Sequence, residues 1–381
     1  MLHAPPTTKP LRITGARALV DGGWSEEPVA IEDGCITADR GGFAEWDARG
    51  LLLLPGIVDI HGDAFERAVQ PRPRVEFPFD LALGECDGWL LAAGVTTYLM
   101  SVTDSVEPGL RSRSTLRRLM SALDGAGRHR LQADWHIHIR HEMTLVDGHD
   151  ELLAWIHEGR PAMLSIADHL PLDADDAEAG RYHRSALHRT GIAPAELDDL
   201  IRTGVADREH GRAQAMELAA AARAAGIPLA SHDDDSPAQA AASAARGCTV
   251  AEFPLDAATA RSARRHGMGV LVGAPNLVRG RSHIGALGAA DAVRMGLADA
   301  LCSDYHFASL FAAPSVLAEQ EILPLEQAWE LVSAGPARLA GLRDRGAIRT
   351  GLRADLLLVE PGPQLRLRAV IVAGRVVASF A

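Results

Sequence analysis

Short apolar runs, bounded by Gly, Pro or Asp, recur through the middle of the chain. They fall at 57–61, 95–101 (VTTYLMS), 134–141 (DWHIHIRH), 162–168 (AMLSIAD), 227–232 (IPLASH), 249–253 (TVAEF), 269–274 (GVLVGA) and 299–304 (DALCSD). Each has the length of a strand, and most are apolar without alternation, as in strands covered on both faces. Ala-rich or amphipathic stretches lie between them, with helices expected at 211–225 and 325–340. Strand then helix, repeated eight times, predicts an α/β fold of the (β/α)8 TIM-barrel type. A doubly wound sheet would carry a Gly-rich phosphate turn after an early strand, and no GxGxxG motif stands there.

Both ends of the chain break this rhythm. To about Asp47, and again in GAIRTGLRADLLLVEP and RLRAVIVAGRVVASF, short β segments alternate with turns. This predicts a small β-sandwich domain formed from both termini, residues 1–53 and 346–381, with the barrel over 54–345.

In a barrel of this kind, chemistry sits at the C-terminal ends of the strands. The first strand ends His61-Gly62-Asp63, and residues two apart share one side of a strand. The third carries His136, His138, Arg140 and Glu142 on one face and Trp135, Ile137 and Ile139 on the other. The fourth ends Asp168-His169, the fifth Ser231-His232 followed by three aspartates, and the eighth Ser303-Asp304. Each alone has a plain structural reading: a capping Asp beside a surface His, a solvated face, or a hydrogen-bonded structural His. Asp234 or Asp235 reads as the N-cap of a helix opening at Pro237. Five strands ending in His, Asp or Glu together point to a metal site. Imidazole and carboxylate are donors that zinc, manganese(II) and iron(II) accept.

Composition narrows this further. The net charge of −12 argues against a nucleic-acid or anionic-membrane partner. No apolar run reaches the roughly 18–20 residues of a membrane helix, and MLHAPPTTKPLRITG lacks the apolar core of a signal peptide. Four scattered cysteines without a CxxC argue against a disulfide scaffold or a thiolate zinc cluster and fit a reducing cytoplasm. Of 38 lysines and arginines only Lys9 is lysine. A carbamylated lysine therefore cannot bridge two ions in the barrel. A carboxylate must do so, and Glu142 is the best placed.

The segments LPGIVDIHGDAFERAVQPRPRVEFP (54–78), GVTT, HIRHE (138–142), LASHDDDS (229–236), AEFP (251–254), HGMGVLVGAPNLVRGRSHIG (266–285) and SDYH (303–306), with the closing GAIRTGLRADLLLV, carry a resemblance. The chain resembles the amidohydrolase superfamily and, over most of its length, the metal-dependent diphosphatase family of bacterial alkylphosphonate (carbon–phosphorus lyase) metabolism. The resemblance implies metal ligands at His61, Asp63, Glu142, His169, His232 and Asp304, with Asp304 also the catalytic base. It implies two divalent transition-metal ions, zinc foremost, with manganese or iron as alternatives. The implied reaction uses a metal-bridging hydroxide to hydrolyse ribose 1-methylphosphonate 5-triphosphate, releasing pyrophosphate.

Such an anionic, phosphorylated small-molecule substrate needs positive partners, and the arginine fork suits phosphate. The candidates are Arg72, Arg140, Asn276, Arg279, Ser282 and His283, with Arg74 and Arg281 beside them. Two departures from the family pattern keep an alternative open, a divergent amidohydrolase cleaving an amide, cyclic amide or amidine C–N bond. The stretch after His169 is acidic over 173–178, which suits a neutral or cationic substrate, and Gly62 and Ala64 predict extra room beside the ligands. The 170–210 insertion reads as a lid or an interface, and the outer barrel helices could pair copies of the chain into a homo-oligomer.

Overall fold

The computed structural model describes residues 10–124, 130–170, 177–280 and 287–381. Eight parallel strands pair in chain order: β1 (Ile57–Gly62), β2 (Val95–Asp104), β3 (Asp134–Glu142), β4 (Met163–Ala167), β5 (Leu229–His232), β6 (Val250–Glu252), β7 (Gly269–Gly273) and β8 (Ala300–Cys302). The ring closes just past β8, where Asp304 N–H donates to His61 C=O and Asp63 N–H donates to Asp304 C=O, both at 2.9 Å. The strands fall where the apolar runs place them, because a wall covered on both faces must be apolar nearly throughout.

The barrel is filled by one apolar cluster that includes Val58, Ile60, Leu99, Met163, Ala230, Val250, Leu271, Ala300 and Cys302. None of its members comes from β3. That strand instead buries His138 completely, so the C-terminal half of the polar face of β3 belongs to a site and not to solvent, whereas His136 pairs with Asp134 at the other end.

The termini build two further sheets. A six-stranded sheet interleaves Arg17–Val20, Gly23–Ser25 and Leu52–Pro55 with Leu356–Glu360, Arg366–Val372 and Arg375–Ser379. A four-stranded sheet, 11–14, 29–32, 35–37 and 44–47, packs with it around Ile13, Ile31, Trp46, Leu53, Leu358 and Ile371. Alternation explains the leucine run at 51–54. Leu53 faces this small core, whereas Leu52 and Leu54 join Leu357 and Val370 in the large core beneath the barrel helices.

Three local expectations are corrected. The helix expected at 211–225 is one helix of 31 residues, Pro194–Ala224. Its buried stripe runs through Leu197, Ile201, Gly204, Arg208, Gly211 and Ala215, and the glycines and arginine hide the periodicity. A Cβ on Gly211 would lie 1.8 Å from Met143 C=O, so the helix presses its bare backbone onto the end of β3. The helix expected at 325–340 is two, Leu325–Glu330 and Ala334–Leu339, with Pro336 in the first turn of the second, where its missing N–H costs no helical bond. The helix after β5 is capped by Ser236, whose Oγ accepts from Gln239 N–H, and not by Asp234 or Asp235.

Candidate metal centre

At the C-terminal end of the barrel, β1, β5 and β6 meet on one carboxylate. Glu252 on β6 is fully buried. His61 Nδ1 lies 2.9 Å from its Oε1 and His232 Nδ1 lies 3.2 Å from its Oε2. Burial opposes its ionisation, but His61, His138 and His232 outweigh that and hold the carboxyl well below its usual range. An ionised carboxylate only accepts, so both Nδ1 atoms carry hydrogen and both rings turn Nε2 away from Glu252. Burial drives the His61 imidazolium down to about 4 against the pull of Glu252, leaving the ring neutral at pH 7. His138 is driven down to about 3, again chiefly by burial. Its Nδ1 lies 3.0 Å from Ile60 C=O, and its buried Nε2 has no partner among the described residues. The rings of His61 and His232 stack at 5.1 Å, and Phe253 meets each edge-on at 4.9 and 5.3 Å.

Among the described residues, two groups of side chains are close enough to hold an ion. In each, the donor atoms lie within 4.8 Å of one another: His61, His138 and Glu252 in one, His169, His232 and Asp233 in the other. Glu142 Oε1 pairs with His169 Nδ1, and Glu142 Oε2 accepts from His169 N–H at 3.1 Å. Burial opposes protonation of His169, but Glu142 and Asp233 raise it to about 10. Burial likewise opposes ionisation of Glu142, which His169 brings down to about 2.

Arg140 stands between the remaining expected ligands. Its guanidinium lies 3.4 Å from Asp63 Oδ2, and its Nη2 donates to His232 Nε2 at 3.0 Å. Asp304 is raised to about 7, first by burial and then by Asp63, with Asp233 and Asp59 adding to it. Carboxylates crowded this way, with one guanidinium to balance them, favour added positive charge. Asp233, Phe253 and Asp304 all adopt left-handed backbone, φ 55°, 54° and 51°. Each still donates a ladder bond of 2.9–3.0 Å to a neighbouring strand, to Glu252, Leu271 and His61 C=O respectively. Non-glycine residues in this region cost of order 1–3 kcal/mol apiece and collect at functional sites.

Of the six expected ligands, His61, Glu142, His169 and His232 come together directly. Asp63 joins through Arg140, and Asp304 through the backbone that closes β8 onto β1. Asn276 and Arg140 line a cavity of about 240 Å³ beside His61, His232 and Asp304. Asn276 Oδ1 is buried with no partner among the described residues. Arg279 is exposed and donates to Tyr305 Oη at 3.0 Å, and Arg72 lies in a second cavity. Ser282, His283 and Arg281 lie outside the described residues, as do the aspartates at 173, 175 and 176. The extra room expected at Gly62 and Ala64 is not there. A Cβ on Gly62 would come within 2.5 Å of Ser303 Oγ and 2.8 Å of Asp59 Oδ2 and Tyr98 Cε2, and Ala64 is buried.

Glu252, Asp233 and His138 were not foreseen as members of the site. A signal existed for Glu252, because a charge inside an otherwise apolar barrel strand must be paired to be tolerated.

No family model matches the chain. A curated relative from Escherichia coli (strain K12), the alpha-D-ribose 1-methylphosphonate 5-triphosphate diphosphatase, is 34% identical over 322 residues, covering 82% of this chain and 84% of that protein. Molinate hydrolase shares the fold at a TM-score of 0.64 and 15% identity, over 97% of this chain and 94% of its own. An amidohydrolase from an environmental sample of the Sargasso Sea does so at 0.64 and 16%, over 97% and 93%. The barrel and the two-sheet annex are the fold that those two hydrolases share, with a His/Glu cluster at the C-terminal end of the barrel. The chain belongs to the family of the alpha-D-ribose 1-methylphosphonate 5-triphosphate diphosphatase.

Proposed function

We propose that this chain hydrolyses ribose 1-methylphosphonate 5-triphosphate, releasing pyrophosphate, with two divalent transition-metal ions held by His61, Asp63, Glu142, His169, His232 and Asp304. The observation that carries the substrate is the 34% identity to the Escherichia coli diphosphatase across four-fifths of the chain. The donor set fits such ions. It offers imidazole nitrogen and carboxylate oxygen without thiolate, two rings oriented by Glu252 so that Nε2 faces away from it, and a buried Nε2 on His138 with no partner among the described residues. Zinc is the first choice for such donors, and manganese or iron would be accepted. Bound there, the ions would supply Lewis acidity to the phosphoryl group and lower the pKa of a water from about 15.7 to about 7.

The protein's own groups do the rest. Asp304, raised to about 7 by burial and Asp63, is poised to take a proton at its carboxylate near neutral pH. Glu252 keeps His61 and His232 in the tautomer that presents Nε2. Arg140 offers a guanidinium to phosphate oxygens, Asn276 lines the β7 side of the same cavity, and Arg279 follows it at the end of the helix Ala274–Val278. No helix among the described residues is long and apolar enough to cross a membrane. A phosphorylated substrate and free cysteines suit the cytoplasm.

The test is a substrate panel run on metal-loaded protein. We expect pyrophosphate release from the triphosphate and no turnover of N-acyl or cyclic-amide compounds. Turnover of an amide without pyrophosphate release would replace this reading with C–N bond hydrolysis.

A further inference from the structure

A second cavity, about 310 Å³, opens at the same end of the barrel as the candidate metal centre. Its walls come from the segment after β1 (Glu66 to Pro73), the segment after β2 (Glu107 to Arg111), and the end of the helix Ala177–Thr190 in the insertion after β4. The insertion is fastened over the other two walls. Arg74, held at φ 64°, donates to Gly191 C=O at 2.9 Å. Arg189 grips Glu107 with two bonds, 2.7 and 3.2 Å, and Tyr182 Oη donates to the same carboxylate at 3.0 Å. The insertion is thus a wall of this cleft.

The cleft is basic in a chain of net charge −12. Arg67, Arg72, Arg111 and Arg189 line it against two carboxylates, Glu66 and Glu107. Both carboxylates are already engaged, Glu107 by Arg189 and Glu66 by a bidentate pair with Arg111 at 3.1 and 3.2 Å. The side chains of Arg72 and His188 have no hydrogen-bond or ion-pair partner among the described residues. The cleft begins beside the candidate metal ligand Asp63, whose C=O accepts from Glu66 N–H at 2.9 Å. The cavity on the other side of the centre differs in character, because Phe253, Leu255, Val272 and Leu287 give it an apolar wall and, among the described residues, Arg140 is its one arginine.

We propose that the arginine cleft binds the pyrophosphate group, with the sugar and its phosphonate on the apolar-walled side. The assignment rests on the substrate reading above, and it follows from charge. The pyrophosphate end is the more highly charged part of such a substrate, and fork-shaped guanidinium donors match its oxygens. A neutral sugar ring fits the cavity walled by Phe253 and aliphatic side chains.

The experiment measures binding of inorganic pyrophosphate to the metal-loaded protein by calorimetry. It compares wild type with Arg72→Gln, His188→Gln and the double variant. These side chains are exposed and unpaired, so the melting temperature should not move. We expect about fivefold weaker binding for each single change and about twentyfold for the pair, with a shallower salt dependence and unchanged affinity for methylphosphonate. Unchanged pyrophosphate affinity in the double variant overturns the assignment, even if the triphosphate is turned over. A loss of pyrophosphate affinity supports the cleft, even if the triphosphate is not a substrate and the broader reading fails.

Discussion

The Glu252 carboxylate receives His61 Nδ1–H at 2.9 Å, and both side chains are sealed from solvent. With His232 on its other oxygen, this one residue fixes the tautomer of two candidate metal ligands. Glutamine has the same shape but only one acceptor oxygen, and its amide N–H would face a ring N–H. Glu252→Gln is expected to weaken metal affinity by about 10–100-fold. Titration of metal-stripped protein with zinc reads this directly. Equal affinities in wild type and variant would show that Glu252 does not orient the ligands.

His169 is raised to about 10 by Glu142 and Asp233 against the effect of burial, so at pH 7 the metal-free protein holds a proton there. A metal must displace it. Metal uptake at pH 7 should therefore release about one proton from this residue, and affinity should climb as pH rises toward 10. Calorimetry in buffers of different ionisation enthalpy counts the proton. His169→Gln should lower the count by about one, and an unchanged count would place the proton elsewhere.

Gly62 lies between two candidate ligands, and its Cβ direction is filled by Asp59, Ser303 and Tyr98. Asp59 accepts from Ser303 N–H at 3.1 Å and Ser303 Oγ at 2.5 Å, which ties β1 to the residue before Asp304. Gly62→Ala should cost about 1–3 kcal/mol by overpacking this joint. Urea unfolding checks it, and a variant as stable as wild type would mean that the joint can yield.

The barrel was legible because parallel strands walled on both faces are unbroken apolar runs. The histidines were legible because imidazole at a strand end is conspicuous. Three consecutive aspartates after β5 look alike in sequence, and only the fold separates them. Asp233 turns to His169, Asp234 accepts from Ser231 and Ser243, and Asp235 N–H donates to Gln239. Glu252 escaped because its partners lie at unrelated distances along the chain, His61 191 positions away and His232 only 20. Small residues carry a third kind of information. Gly62 reads as empty space, yet it records the atoms that occupy that space.

Asp134 at the opposite end of β3 pairs with Arg345 at 2.6 Å and Arg353 at 3.1 Å, tying the barrel to the C-terminal segment. Burial opposes its ionisation, but His136, Arg345 and Arg353 outweigh it and hold the carboxyl well below the usual range. The folded pKa lies below the unfolded value of about 3.9. The stabilisation is therefore complete above about pH 4–5 and is lost as pH falls through the folded value. Asp134→Asn should lower stability at pH 7 and flatten the fall in urea midpoint below pH 4. A fall as steep as in wild type would assign the acid sensitivity to other carboxylates.

The central claim, metal-dependent release of pyrophosphate, is tested most directly by phosphorus NMR of ribose 1-methylphosphonate 5-triphosphate mixed with metal-stripped and then metal-restored protein. The account predicts no change until metal is added, then one pyrophosphate and one sugar 5-phosphate per substrate, with Asp304→Asn retaining metal but not turnover. Stepwise release of orthophosphate, or turnover at the same rate without metal, would contradict it.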